Sequence, residues 1–160
     1  MQANIVRACL AGFIATTIVT FMIYFVSPYM TGGPSDIAGM LVGMMGLSWI
    51  FAIGVYYLIG ALIMPFVYAR FLNPHLGGGP VSRGLTWGVL LWLVSQAIVV
   101  PATGGGMFSS EAGGLQIVLE SLVGHLVYGL VFGVWLGGPD EHTAEGRYPI
   151  RSEPHTGRAA

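Results

Sequence analysis

The chain has 160 residues, of which 54% are hydrophobic and only 8% charged, with a formal net charge of −1. Soluble domains carry about 25% charged residues, so the solvent for most of this chain is lipid. It has no lysine, and its six arginines form no dense patch, which excludes nucleic acid as a partner; its single cysteine, Cys9, excludes an intrachain disulfide.

A helix crossing the hydrocarbon core needs about 20 mostly apolar residues. Four stretches qualify: residues 5–27, 47–70, 84–102 and 116–137. The first is longer than the h-region of a signal peptide, about 7–15 residues. Ser27 and Pro28 follow it without a small-x-small cleavage pattern, so a membrane helix is expected. Between the first two spans, Ser35-Asp36 opens the run 37–47, with Gly39, Met40, Met44 and Met45. This pattern predicts a short interfacial or re-entrant helix with Ser35 or Asp36 near its N-cap. Spans two and three are joined by the turn Gly77-Gly78-Gly79-Pro80, which lacks the Lys, Ser or Thr of a phosphate loop. Ser109-Ser110-Glu111 is expected to open span four or a short helix before it. Residues 1–137 form the membrane domain. Residues 138–160 form a polar tail with Pro139, Pro149 and Pro154, unable to fold alone in water.

The arginines predict orientation. Arg7 precedes span one, Arg70 and Arg83 flank the second connection, and Arg147, Arg151 and Arg158 lie in the tail. The first and third connections have none. Positive charges in short loops stay in the cytoplasm, so both termini are expected inside, in a bacterial inner membrane.

The halves of the chain resemble each other. Arg7 and Gly12 match Arg83 and Gly88 at an offset of 76, and Tyr56-x-x-x-Gly60 matches His125-x-x-x-Gly129 at an offset of 69. The expected fold is an all-α bundle of two tandem, duplicated hairpins. Two such units would insert alike, related by an axis along the membrane normal.

Small residues mark seams between membrane helices. Span four repeats them every four residues in Ser121, His125, Gly129, Gly133 and Gly137; span one in Ala8, Gly12, Thr16, Thr20 and Tyr24; span three in Gly84, Gly88, Trp92 and Gln96. These faces are expected to meet each other or a partner.

His125 is the one ionisable residue deep in a span, level with Tyr56, Tyr57, Ser95 and Thr20. An intramembrane ionisable group is a functional candidate: a proton relay, a quinone contact or a cofactor ligand. The competing reading is a neutral histidine that donates to Ser95, Gln96 or a tyrosine and locks a seam. Haem would require a second ligand that no other span supplies. Glu120 is five residues from His125, about 140° around the helix, and is expected to be solvated or hydrogen-bonded near the outer interface. Met40, Met44 and Met45 could hold Cu(I) through thioethers, but flexible side chains on an apolar helix face account for them better. No arrangement for nucleophilic, zinc or paired-carboxylate chemistry stands out, so neither an enzyme nor a cofactor is expected.

The opening Arg7-x-x-x-x-Gly12, the Gly/Pro-rich first connection, Gly104-Gly105-Gly106-Met107-Phe108 and, above all, Gly124-His125-Leu126-Val127-Tyr128-Gly129 followed by Gly133 carry a further signal. Over residues 5–137 the chain resembles a family of small bacterial four-helix membrane proteins with no assigned function. In that family a histidine can also stand before the glycine of span two, where this chain has Tyr56. The resemblance implies the topology and a bacterial inner membrane, and brings no activity.

Taken together, the sequence leads to a non-catalytic accessory or structural subunit of a larger membrane complex, with a respiratory or photosynthetic electron-transfer complex as a conceivable host. Its partners would be the bilayer and other membrane subunits. The alternatives are a small transporter or proton-conducting module acting as an oligomer, or a quinone- or copper-binding membrane protein.

Overall fold

In lipid every backbone polar group must be bonded within the protein, which leaves helices as the solution for isolated apolar stretches. The computed structural model describes residues 4–32, 39, 41–43, 46, 48–73 and 75–136. Among them there is no strand, and four helices are long and apolar enough to cross a membrane: Ile5–Tyr29, Trp49–Leu72, Pro80–Ala102 and Leu115–Leu136, hereafter spans 1 to 4. The protein is a multi-pass membrane protein. Ser35, Asp36, Met40, Met44, Met45, Gly137 and the tail 138–160 lie outside the described residues.

The helix ends follow local chemistry. Asn4 caps span 1, its Oδ1 accepting from the N–H of Val6 at 3.0 Å. Beyond a bend at Val26 the chain continues as a short helix, Ser27–Thr31, with Pro28 in its first turn, where a missing N–H costs nothing. Gly32, at φ 81°, ends it in the left-handed conformation. Span 3 starts earlier than hydropathy alone suggests. Pro80 is its first residue, the position that proline favours, so Arg83 sits inside the helix rather than in the connection before it.

Span 4 opens within one residue of the start expected from apolar length, and the Ser109-Ser110-Glu111 motif does not itself begin it. Met107–Ser109 form a short 3-10 turn, Phe108 and Ser109 have positive φ (49° and 56°), and the helix opens at Leu115. The connection closes on itself through backbone bonds, among them Glu111 N–H to Gly105 O at 3.0 Å and Gly114 N–H to Ser109 O at 2.8 Å.

Spans 2 and 3 each contain a widened π segment just before a proline, Ile59–Ile63 before Pro65 and Ser95–Val99 before Pro101, and span 2 ends in another, Tyr68–Leu72. Proline removes one helical donor and its ring presses on the carbonyl four residues back. One extra residue in the turn relieves that pressure. The bonds shift register accordingly, with Met64 N–H reaching Ile59 O and Val100 N–H reaching Ser95 O.

Span 1 packs against spans 2 and 4, and span 4 also packs against span 3. Span 1 can serve two neighbours because its buried face is small all along: Ala8, Ala11, Gly12, Ala15 and Thr16. Phe13, Phe21 and Phe25 lie exposed on its other side, the arrangement lipid favours. A Cβ on Gly12 would run into Pro65 and sit 2.8 Å from Gly60 O. On Gly129 it would meet Gly84 O and lie 2.9 Å from Gly88 Cα; on Gly133 it would lie 2.5 Å from Pro80 O and 2.7 Å from Gly84 Cα. The seams are thus backbone against backbone.

Between the seams sits an aromatic plug. Tyr68 packs edge-on to Phe132 at 4.9 Å between ring centroids and lies 5.6 Å from Trp87. Arg7 Nη2 donates to Trp135 O at 3.1 Å, tying the start of span 1 to the end of span 4. This placement puts a cation on the negative end of a helix dipole. We call this the arginine end of the bundle, and the opposite one, with Glu111 and Glu120, the acidic end. In the first connection residues 41–43 are helical, and Leu41 is buried against Ala52.

Candidate functional site

His125 lies on the span 3 seam, where its own backbone is the wall that a Cβ on Gly88 would strike. Its ring is half-buried. Nδ1 donates to Ser121 O at 2.7 Å and lies 3.4 Å from Ser121 Oγ. Among the described residues both of its hydrogen bonds return to its own helix, one turn back. Neither goes to Ser95, Gln96 or a tyrosine.

The other polar residues at this depth are engaged elsewhere. Gln96, in the π segment of span 3, accepts from Ser109 Oγ at 2.8 Å, and both residues are buried (1% and 0% exposed). Gln96 is therefore the post on which the 103–114 connection is hung. Trp92, one turn earlier, donates from Nε1 to Val118 O at 3.2 Å, fastening span 3 to span 4. Tyr56 meets Thr20 of span 1 and packs edge-on to Tyr57 at 5.7 Å. Tyr57 turns toward Phe13 at 5.8 Å. Among the described residues no hydrogen bond joins His125, Gln96 and the tyrosine pair to one another.

One polar link in the core was not foreseen from the sequence. Tyr128 OH donates to Gly60 O at 2.6 Å. In the π register the donor due to Gly60 O is residue 65, and Pro65 has no N–H. Tyr128 fills the vacancy. The signal available in the sequence is a proline five residues after Gly60 and a tyrosine one residue before Gly129.

At the acidic end Ser27 Oγ donates to Glu120 Oε1, joining spans 1 and 4. Beside this pair is a cavity of about 30 Å³, lined by Val19, Met22, Ile23 and Val123 as well. A larger groove, about 510 Å³, runs along the membrane-facing side of spans 1 and 2, between Val6, Leu10 and Phe13 on one side and Gly54, Leu58 and Leu62 on the other. Cys9 and Tyr57 also line it, and the rest of its wall is apolar.

The histidine geometry has a measurable consequence. Ser121 O already accepts the backbone N–H of the helix, so it keeps a donor when the imidazole is removed. We expect His125→Leu to change the unfolding free energy by less than about 1 kcal/mol, measured by detergent titration. A loss well above that would mean that the imidazole bridges two helices.

No curated protein and no solved structure matches this chain. One family does, across residues 2–145, and its description is "family of unknown function (DUF6789)". With the match covering most of the chain, this four-helix membrane protein belongs to the DUF6789 family.

Proposed function

We propose that the chain is a non-catalytic accessory or structural subunit of a larger membrane complex in a bacterial inner membrane. The observation that carries this reading is the closure of its seams. Gly12, Gly84, Gly129 and Gly133 bring backbone against backbone, and the core between them is filled by aromatic rings. A transporter requires a wettable path between helices, and seams of this kind favour a rigid packing element instead. The engaged state of Gln96 and Tyr128 points the same way, since both hold the fold together.

The experiment is native isolation in mild detergent from a strain carrying a tagged chromosomal copy. Other membrane subunits are expected at fixed stoichiometry. A stable monomer or homodimer that purifies alone would sink the accessory role and bring the transporter reading forward.

The orientation belongs to the same proposal. Arg7, Arg70 and Arg83 gather at one end of the bundle, and arginine-bearing loops are retained in the cytoplasm. A C-terminal fluorescent reporter that matures only in the cytoplasm should therefore be bright, and an exported alkaline phosphatase fusion silent. The reverse pattern would invert the topology. A duplication origin is also supported by geometry: a Cβ on Gly12 would lie 2.8 Å from Gly60 O, and one on Gly129 2.9 Å from Gly88 Cα, the pairs that the sequence repeat equates.

A further inference from the structure

Span 3 starts with an accumulation of hydrogen-bond donors. Its N-cap is Gly79, which has no side chain to offer, and Pro80 follows. The first turn of a helix leaves N–H groups without intrahelical partners and carries partial positive charge. An acidic residue usually answers this. Here the first turn has none and holds Arg83 instead, so a cation stands at the positive end of a dipole. Arg83 Nε is buried and, among the described residues, has no acceptor.

A second, independent observation lies one turn deeper. Trp87 is 4% exposed, and its indole N–H has no acceptor among the described residues either. Arg83 and Trp87, four residues apart, share a helix face. On that face the Trp87 ring lies 5.6 Å from the ring of Tyr68, whose phenol is within electrostatic reach of Arg83. Guanidinium, indole, phenol and helix start all bring donors. Buried donors are nearly always satisfied, so the missing component is an acceptor with several lone pairs and negative charge.

The location narrows its chemistry. Arg83 is three residues into a membrane-spanning helix, about 4.5 Å along the axis, which is headgroup depth. The geometry points to an anion site at the start of span 3 that takes the phosphate group of a membrane phospholipid. Arg83 supplies the charge, the first-turn N–H groups supply backbone donors, and Trp87 supplies the deep donor. This differs from a nucleotide phosphate loop, since the ligand enters from the bilayer side and needs no lysine.

The test uses the full chain in mild detergent, titrated with phosphatidylglycerol and followed by native mass spectrometry, with the thermal midpoint as a second readout. One retained lipid per chain is expected. Arg83→Gln should weaken binding about tenfold or more, because a charge-assisted bond is lost. Trp87→Phe, which keeps a ring in the core and removes only the indole N–H, should weaken it about threefold to tenfold. Displacement of the lipid by millimolar inorganic phosphate, with an equal rise in midpoint, would support the site and assign it to free phosphate. Equally tight binding of uncharged diacylglycerol, or unchanged binding in both folded variants, would overturn the proposal.

Discussion

Gly133→Leu is expected to drive spans 3 and 4 apart and to cost about 3 kcal/mol or more, the upper part of the range for overpacking. The reason is the nature of the neighbours. The first atoms a Cβ would meet are Pro80 O at 2.5 Å and Gly84 Cα at 2.7 Å. A side chain can swing away, but a backbone can yield only if the whole helix moves, and that would also disturb the contacts of Gly84 and Gly129 one turn along. Gly54 is the control. Nothing lies within 4 Å of a Cβ built there, so Gly54→Ala should leave the unfolding midpoint nearly unchanged. Unfolding in increasing sodium dodecyl sulfate, read by circular dichroism, compares the two. Similar midpoints would show that the span 3–span 4 contact is not a packing seam.

The second large effect concerns the bond between Tyr128 and Gly60. Tyr128→Phe removes a single oxygen and leaves Gly60 O buried without its donor, at a cost of about 1–2 kcal/mol. The decisive measurement is a double-mutant cycle. Pro65→Ala restores a backbone N–H five residues after Gly60, in the register the π segment already uses. In that background the penalty for Tyr128→Phe should fall to a few tenths of a kcal/mol, a coupling characteristic of residues that share a partner. A penalty of the same size in both backgrounds would mean that Pro65 is not what leaves the carbonyl open.

These two predictions mark the boundary of what the sequence made legible. Spans 1, 2 and 4 could be read to within about two residues from apolar length, and the glycine repeats 84/88 and 129/133 announced a close seam because only glycine permits it. Positional periodicity also put Trp92 and Gln96 on the face of span 3 that meets span 4 and the connection leading into it. Less legible were the partners of the polar residues: His125 bonds back to Ser121 O, and Gln96 takes Ser109. A count along the helix assumes 3.6 residues per turn, and the π segments at 59–63, 68–72 and 95–99 depart from it. Prolines signal such breaks only loosely: Pro28 lies at a helix start and leaves no π segment behind it, whereas Pro65 and Pro101 do. Ser109 was legible as a polar residue near a helix start but not as a buried one, because its left-handed φ of 56° comes from a connection whose shape is set by five glycines, Gly104, Gly105, Gly106, Gly113 and Gly114.

The clasp of Arg7 on Trp135 O bears on how the fold depends on chain order. It brings the first turn of the first helix against the last turn of the last one, at the same end of the bundle as the connection between spans 2 and 3. A peptide link from span 4 back to span 1 would be no longer than that connection. Opened at residues 77–79 and joined across its ends, the chain would run in the order 3-4-1-2, with every helix keeping its direction and every seam its partners. The permuted chain is therefore expected to fold, because where translation begins is a separate matter from which surfaces meet.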